Sequence, residues 1–308
     1  MPIKQTEILP IIKEFRFDLI GFAKAETLND EIENLKTWLR KGYSAGMEYM
    51  ERNVEKRFDV RNILPSAKSV ISLGVNYYTP FEHSPSAGEG KVSRYAWGND
   101  YHFIMWDETE KLIARLKKIF PSLEAKAYVD TGPVMDKAWA VRAGLGWLGK
   151  NGNVINKNIG SWFFIATIIT NLEIEASTPT ADLCGSCSAC IDACPTNAIV
   201  AEGIIDANRC ISYLTIENKG EISSEFRGKF DNWIFGCDIC QDVCPWNKKF
   251  SVASLIKEFE PIVAKEIKFA EIFDLTNSKF KDRFGKSPIA RARAKGLKRN
   301  AEFLNHSK

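Results

Sequence analysis

The sequence predicts an α+β fold, bordering on α/β, with three parts: a mixed-sheet domain, a small cysteine-rich domain and a short helical tail. Helical and strand patterns alternate before the cysteines, all eight cysteines lie between Cys184 and Cys244, and helical patterns return after them. With 308 residues, of which 45% are apolar, the chain can bury one large core and a smaller one.

Apolar periodicity places the elements of the first domain. A 3.6-residue period predicts helices near residues 7–15, 30–41 and 107–120. Short β-branched or aromatic runs between turn residues predict strands near residues 18–23, 69–76, 125–129 and 162–170. Polar stretches at residues 173–183 and 248–254 indicate the boundaries between the three predicted domains. The predicted domains are therefore residues 1–175, 176–250 and 251–308.

Composition and charge narrow the class of protein. The N-terminus has no apolar signal segment and no apolar run is long enough to cross a membrane, so we expect a soluble, cytoplasmic protein with no membrane partner. The formal net charge is +3, but residues 279–300 hold nine Lys or Arg against one Asp, so this segment carries +8 and the rest of the chain −5. Such a segment predicts contact with a polyanion, with a solvated helix face as the alternative.

The cysteine spacing predicts two iron–sulfur clusters. Residues 184–195 read C-x2-C-x2-C-x3-C-P, and a later Cys210 is followed by C-x2-C-x3-C-P in residues 237–245. In a reducing compartment, such cysteines serve metal or redox chemistry rather than disulfides. In the bacterial ferredoxin run, the fourth cysteine ligates the other cluster. This rule assigns one cluster to Cys184, Cys187, Cys190 and Cys244, and the other to Cys194, Cys210, Cys237 and Cys240. A pair of zinc sites is the alternative, but a zinc ribbon gives no reason for the repeated x3-Cys-Pro.

Glycines concentrate in the loop RAGLGWLGKNG, residues 142–152. Gly144, Gly146 and Gly149 match the GxGxxG spacing of dinucleotide folds, but a helix-like segment precedes them and a strand-like one follows, the reverse of the order that fold requires. Close approach of backbone to a large flat ligand explains them better. Four aromatic residues are candidates to stack on that ligand or on an unpaired base, with core packing as the alternative: Tyr95, Trp97, Tyr101 and Trp147.

Several motifs together resemble the epoxyqueuosine reductase family. They are DYH at residues 100–102, YVDTGP at 128–133, GWLGKNG at 146–152, GSWFF at 160–164 and the split double-cluster motif. The resemblance implies a nitroreductase-like N-terminal domain that binds cobalamin, related to reductive dehalogenases, followed by a ferredoxin-like domain with two [4Fe-4S] clusters. It also implies an oxidoreductase of queuosine biosynthesis, in which Co(I) cobalamin, reduced through the clusters, converts epoxyqueuosine to queuosine at the wobble position of tRNA.

The same resemblance implies roles for individual residues. Asp130 would protonate the opening epoxide oxygen, which requires burial or a like-charged neighbour to raise its pKa from about 3.9; an Asx-turn cap is the alternative. His102 and Asp100, near a helix start, are further catalytic candidates, with a backbone-bonded helix residue as the alternative for His102. Arg142 would orient the substrate or the acid, with a surface ion pair as the alternative. Expected cobalamin contacts, besides Asp130, are Asn53, Arg57, Ser93, Asn151, Val154, Ser212 and Lys219; a free surface lysine is the alternative for the last.

The basic tail is the expected tRNA contact. Many members of the family continue into a helical-repeat module, whereas this sequence ends at Lys308, so phosphate contacts are expected to fall on the tail: Lys279, Lys281, Arg283, Lys286, Arg291, Arg293, Lys295, Lys298 and Arg299. An external low-potential electron donor and a monomeric state are also expected. Two rival functions stay open, a corrinoid reductive dehalogenase for small organohalides and a non-enzymatic ferredoxin-type electron carrier.

Overall fold

The computed structural model of the chain describes residues 1–86 and 88–305. The strands are β1 Leu19–Lys24, β2 Ser69–Asn76, β3 Glu89–Val92, β4 Ala125–Tyr128, β5 Trp147–Leu148, β6 Val154–Ile155, β7 Phe163–Thr170, β8 Ile199–Ala201, β9 Ile204–Ile205, β10 Trp233–Phe235 and β11 Glu266–Lys268. The helices are α1 Gln5–Ile12, α2 Asn29–Arg40, α3 Val54–Phe58, α4 Tyr101–Ile119, α5 Asp136–Arg142, α6 Ala189–Asp192, α7 Ile211–Ile216, α8 Ile239–Asp242, α9 Pro245–Phe250, α10 Phe269–Phe273, α11 Asn277–Phe284 and α12 Arg293–Asn305. Within the described residues, no helix combines the length and the apolar character that crossing a membrane requires.

The central sheet has the strand order β1–β2–β7–β4, and each neighbouring pair is antiparallel. The α+β class is confirmed, but the mixed pairing expected for this sheet occurs instead in the small sheet β10–β3–β11, where β10 is parallel and β11 antiparallel to β3. All eight residues of β2 are buried. A strand covered on both faces is a continuous apolar run whichever way its neighbours point, so the sequence pattern does not determine the pairing.

Helix α4 begins at Tyr101 rather than near residue 107. Its N-cap is Asp100, whose side chain accepts a hydrogen bond from the backbone N–H of His102 over 3.0 Å. This bond satisfies one of the amide groups that a helix start leaves free. Met105 and Leu112 anchor the helix in the core cluster that also contains residues of β2 and β7. The early start brings Tyr101 and His102 beside the turn after β4.

The C-terminal helices pack into a core shared with the cysteine-rich region. Trp97, Phe235, Phe284 and Leu297 all belong to one buried apolar cluster. The buried amide of Asn300 in α12 also donates to the carbonyls of Thr215 and Ile234, over 2.8 and 2.9 Å. The tail is therefore a packed part of the molecule. The division into three domains stays a prediction, and residues 306–308 of the third lie outside the described residues.

Candidate active site

A cavity of about 610 Å³ lies between the central sheet and the cysteine-rich region. Part of its wall is apolar, with Phe163, Phe164 and Ile165 of β7 facing Ile199 and Ile211. The polar side chains in the wall, apart from the tyrosines, are Ser93, Asp130, Asp136, Lys137, Asn151, Asn153, Thr196, Ser212, Asp238 and Gln241. Four thiols complete it: Cys194, Cys210, Cys237 and Cys240. A largely apolar cavity with a few converging polar groups is typical of a ligand site.

Asp130 lies in a tight turn directly after β4, at the edge of the cavity. Its φ is +57°, a left-handed conformation that Asp adopts more readily than most side chains. The turn folds back onto β4, because a Cβ at Gly132 would lie 2.0 Å from the Tyr128 ring. The Tyr101 hydroxyl donates to Asp130 Oδ2 over 2.8 Å, yet the Asp130 side chain is 71% exposed. The chain alone therefore does not supply the burial that an acid role requires.

His102 connects Asp100 to Asp130. Its Nδ1 lies 2.7 Å from Asp100 Oδ1, and its Nε2 lies 4.0 Å from Asp130 Oδ2. A carboxylate beside Nδ1 favours the tautomer with the proton on that nitrogen, which leaves a lone pair on Nε2. Nε2 is buried and no described residue forms a hydrogen bond with it. The imidazole is thus held in position with its free nitrogen toward Asp130.

Asp136 is a second carboxyl group in the cavity wall, one that the sequence did not single out. It begins α5 and accepts a hydrogen bond from Thr167 Oγ1 over 2.5 Å. Burial and, to a lesser degree, the charge of Asp130 raise the pKa of Asp136 to about 7, although the Thr167 hydroxyl and the Arg57 charge act in the opposite direction. Arg57 is only 8% exposed, and its buried Nε has no hydrogen-bond partner among the described residues.

Ser93 and Asp238 join the two halves of the cavity. Ser93 Oγ donates to one oxygen of Asp238, and the backbone N–H of Arg94 donates to the other over 2.7 Å. Burial first, and then the charge of Asp242, raise the pKa of Asp238 to about 7 against these two hydrogen bonds. Because Asp238 follows Cys237 directly, these bonds fix the loop that carries part of the thiol set.

The electrostatic influence of the thiols on one another divides them into two groups. After burial, which is the larger cause, neighbouring thiolate charges raise the pKa of several of them. For Cys190 these neighbours are Cys184, Cys244 and Cys187, and for Cys237 they are Cys240 and Cys210. For Cys210 the neighbour is Cys194. The groups coincide with the two ligand sets that the ferredoxin rule assigns, and the assignment itself stays a prediction.

The groups differ in their access to solvent. All four thiols of the second group line the cavity, whereas Cys187 of the first group is exposed at the surface. The first group therefore includes a thiol at the surface, although Cys244 of the same group is buried. The pKa of Cys240 is raised mainly by burial and in small part by Cys190, which indicates that the two groups are neighbours.

The expected cobalamin contacts separate into two sets. Ser93, Asn151 and Ser212 line the cavity together with Asp130. The other four do not belong to the cavity wall: Asn53 and Lys219 are exposed, whereas Arg57 and Val154 are 8% and 3% exposed. All of these contacts stay predictions.

Arg142 lies away from the cavity, which corrects the expectation that it orients the acid or the substrate. Its guanidinium forms two hydrogen bonds to the Glu31 carboxylate, of 2.8 and 2.9 Å, and one to the Thr27 carbonyl. Six residues separate it from Asp136 along α5, which at 1.5 Å per residue is about 9 Å. The ion pair named as the alternative is the arrangement present.

The basic tail contains cations of two kinds. Lys286, Arg291, Arg293 and Lys295 are exposed, and Lys298 is half-buried. Arg299 instead donates to the carbonyls of Leu214, Asn218 and Gly220, which corrects its assignment as a free phosphate ligand. Arg291 is paired with Glu217 over 2.8 Å. The carbonyl of Lys286 accepts from the backbone N–H of Asp100, so the tail passes beside the start of α4.

The four aromatic residues predicted to stack on a ligand or base fall into two pairs. Tyr95 and Tyr101 line the cavity, whereas Trp97 and Trp147 are 0% and 2% exposed and belong to core clusters. For the two tryptophans the alternative of core packing is correct.

Sequence reasoning missed three charged cavity residues, Asp136, Lys137 and Asp238. Lys137 donates to the Gly152 carbonyl and to Asn153 Oδ1, over 2.8 and 3.1 Å, and burial lowers its pKa. A signal was present for the first two, because Asp136 and Lys137 open a helix directly after the TGP turn that delivers Asp130.

Comparisons with known proteins agree with this architecture. Residues 57–131 match the family model described as "Epoxyqueuosine reductase QueG, DUF1730", and residues 183–247 match "4Fe-4S double cluster binding domain". The chain is similar to the epoxyqueuosine reductase of Leadbetterella byssophila, with 46% identity over 301 residues that cover 97% of both chains.

Solved structures show the same fold. The chain superposes on a crystal structure of epoxyqueuosine reductase with an epoxyqueuosine-modified tRNA-Tyr stem loop, with a TM-score of 0.91 and 35% identity over 97% of this chain and 80% of that one. It is also similar to the Bacillus subtilis epoxyqueuosine reductase whose aspartate-bearing catalytic loop is swung out of the active site, with a TM-score of 0.90 and 34% identity over 97% of this chain and 80% of that one.

Proposed function

Because this chain belongs to the epoxyqueuosine reductase family, we propose that it reduces epoxyqueuosine to queuosine at the wobble position of tRNA, with two [4Fe-4S] clusters and cobalamin as cofactors. One observation carries the proposal: a single cavity is lined by Asp130 and Tyr101 and also by the thiols Cys194, Cys210 and Cys237. A substrate bound there lies between a source of protons and a source of electrons. Removing the epoxide oxygen as water to leave an alkene consumes two electrons and two protons.

The residues of the cavity fit both cofactors. The eight free thiols match the number of thiolates that two clusters require. Apolar residues such as Phe163 and Ile165 suit the faces of a large flat ring, and Ser93, Asn151 and Ser212 offer hydrogen bonds to the polar groups at its edge. The unpartnered Nε of Arg57 is a further donor near Asp136.

Cobalamin, when bound, supplies a strongly reducing and nucleophilic cobalt centre. In our proposal Ser93, Asn151, Ser212 and Asp130 hold it. Four further contacts are weaker proposals, because none of them belongs to the cavity wall: Asn53, Arg57, Val154 and Lys219.

Asp130 is the proposed proton donor. Tyr101 orients its carboxyl group, and His102, itself fixed by Asp100, holds its Nε2 lone pair toward Asp130. Nε2 would first take up a proton from solvent and then pass that proton to the Asp130 carboxylate. A ligand that covers the exposed carboxyl group would remove water from it and favour its neutral form. The Bacillus subtilis enzyme has an aspartate catalytic loop that is swung out of the active site in that structure, and we propose that the turn carrying Asp130 is its counterpart.

The proposed electron path runs from the surface to the cavity. Electrons from an external low-potential donor enter at the first thiol group, where Cys187 is exposed, and continue to the second group in the cavity wall.

The exposed tail cations Lys286, Arg293 and Lys295 are proposed to contact tRNA phosphates. We further propose a cytoplasmic location, where thiolates stay reduced and tRNA is present, and a monomeric state.

The proposal is tested with anaerobic protein reconstituted with iron, sulfide and cobalamin. The protein is incubated with a strong reductant and tRNA carrying epoxyqueuosine, and the nucleosides are then analysed by mass spectrometry. We expect the mass of one oxygen atom to be lost from the modified nucleoside. Loaded protein that leaves epoxyqueuosine unchanged would contradict the proposed function.

Asp130→Asn tests the acid role. This variant should lose turnover while retaining the visible absorption of both clusters and of cobalamin. Asp107→Asn is the matched control, because Asp107 is an exposed carboxyl in α4 that pairs with Lys111. Turnover by Asp130→Asn at the control's rate would remove the acid role.

A further inference from the structure

We propose that Trp147 is a positioning residue for the first iron–sulfur cluster: its indole N–H donates to Cys184 Sγ and makes that cluster easier to reduce. The hydrogen bond spans 3.4 Å between Nε1 and Sγ. The inference rests on the double-cluster part of the proposed function and is independent of the chemistry on tRNA.

The indole is held on several sides. Trp147 is 2% exposed, and its ring contacts Trp246 edge to face, with 4.9 Å between centroids and an interplanar angle of 74°. Ile155 and Cys244 belong to the same buried cluster, and Cys184 packs against it. The N–H therefore has little freedom to turn away from the sulfur.

Glycines on both sides of β5 make this placement possible. Trp147 and Leu148 form β5, which pairs with β6 in a two-stranded sheet. A Cβ at Gly146 would lie 2.1 Å from the Ile155 carbonyl oxygen, and one at Gly149 would lie 2.4 Å from Ile155 Cδ1. Only residues without a side chain allow β5 to approach β6 this closely. The glycine spacing of this loop thus serves the strand that carries Trp147.

The direction of the effect follows from charge. A reduced cluster carries one more negative charge than an oxidised cluster, so an N–H donor to a ligating sulfur stabilises the reduced form more. Burial strengthens the interaction, because little water is present to screen it. Trp147 lies on the central-sheet side of the chain, 37 residues before the thiol that it contacts. A residue from the first part of the chain thereby raises the reduction potential of the cluster at which electrons enter.

This donor can be removed selectively. Cys194 in the second group accepts from the backbone N–H of Ala198 over 3.3 Å, a bond that side-chain substitution leaves in place. Trp147→Phe removes the indole N–H while keeping an aromatic ring against Trp246. Trp246→Phe is the matched control, because it changes the other ring of the same pair. Among the described residues, the Trp246 indole N–H forms no hydrogen bond to a cysteine sulfur.

The test is a potentiometric titration of the reconstituted protein, followed by electron paramagnetic resonance of the reduced clusters. We expect Trp147→Phe to shift the potential of the first cluster to more negative values, with the second cluster unchanged. Trp246→Phe should leave both potentials at the wild-type values. A first-cluster potential that is equal in Trp147→Phe and wild type, or an equal shift of both clusters, would overturn the inference.

A second measurement covers the case in which Trp147→Phe does not assemble the first cluster. Wild-type protein and Trp246→Phe are produced with ¹⁵N-labelled indole, and pulsed resonance is used to detect coupling between the ¹⁵N nucleus and the reduced first cluster. Coupling in both proteins supports the bond to Trp147, and its absence from both, or its loss in Trp246→Phe, rules the bond out. Wild-type protein that binds too little iron for two clusters would instead contradict the proposed function itself.

Discussion

The hydroxyl of Tyr101 donates to Oδ2 of Asp130 across 2.8 Å, and this bond joins the start of α4 to the turn after β4. The Tyr101 ring stacks on Phe164, with centroids 4.0 Å apart and planes 6° apart, and also on His102. Burial, together with the charge of Asp130, raises the pKa of Tyr101 far above its usual range. The hydroxyl therefore stays protonated at neutral pH and can only orient the carboxyl group as a donor.

Tyr101→Phe should slow turnover without unfolding the protein. The ring contacts persist, but Asp130 loses the donor that orients it. Asp130 must be neutral to act as an acid, and a hydrogen bond between neutral groups contributes about 0.5–1.5 kcal/mol, so we expect single-turnover rates to fall by roughly two- to tenfold. The measurement is anaerobic conversion of epoxyqueuosine tRNA, with Tyr43→Phe, outside the cavity wall, as the control. Equal rates in the variant and the control would show that Asp130 needs no such orientation.

Asp136→Asn should change how stability depends on pH. The folded state raises the pKa of this carboxyl from 3.8 to about 7, in contact with the Thr167 hydroxyl and near the charges of Asp130 and Arg57. Native protein therefore holds a proton that unfolded protein releases between these two values, and wild-type stability falls as pH rises through this window. Each unit of pKa difference corresponds to about 1.4 kcal/mol.

The measurement is thermal unfolding of cobalamin-free protein at several pH values. The Tm of Asp136→Asn relative to wild type should rise between about pH 4 and about pH 7 and level off above that. A difference in Tm that is constant over this range would show that Asp136 stays ionised in the folded protein.

Arg142→Gln should lower stability and leave turnover unchanged. Its side chain and that of Glu31 are 30% and 25% exposed and share a pair of hydrogen bonds. We expect the free energy of unfolding to fall by about 1 kcal/mol, the upper range for a partly exposed ion pair. Urea denaturation measures this loss, and Glu31→Gln should reproduce it. A folded Arg142→Gln variant without turnover would show that Arg142 is required for catalysis after all.

Lys295→Ala and Arg299→Ala should have different effects, although both remove a cation from α12. Lys295 is exposed, so its loss should weaken tRNA binding and reduce the slope of log affinity against log salt by about 0.7–0.9. Arg299 bonds to three carbonyls, so its loss should mainly lower the Tm. Fluorescence anisotropy of labelled tRNA at several salt concentrations, beside thermal unfolding, separates the two. An unchanged slope for Lys295→Ala would remove it from the tRNA contact.

The features that could be predicted from the sequence are those that depend on residues close together in the chain. Cluster ligands recur at short fixed spacings, so Cys184, Cys187 and Cys190 were recognisable without a structure. The bounds of β2 matched the prediction at both ends because Val70, Ile71, Leu73 and Val75 form a short apolar, β-branched segment, and all eight residues of the strand are buried. Asp130 was identifiable because a turn of Thr, Gly and Pro follows it directly.

Folding in three dimensions settled the relationships between distant segments. The bond from Thr167 to Asp136 crosses 31 positions of the chain and the bond from Trp147 to Cys184 crosses 37. The ion pair that removes Arg142 from the site joins residues 111 positions apart. Local apolar period carries no information about such partners, because they meet only when the sheet, the helices and the cysteine-rich region pack against one another. Burial arises from that packing, so the protonation of Asp136 could not be read from its neighbours in the sequence.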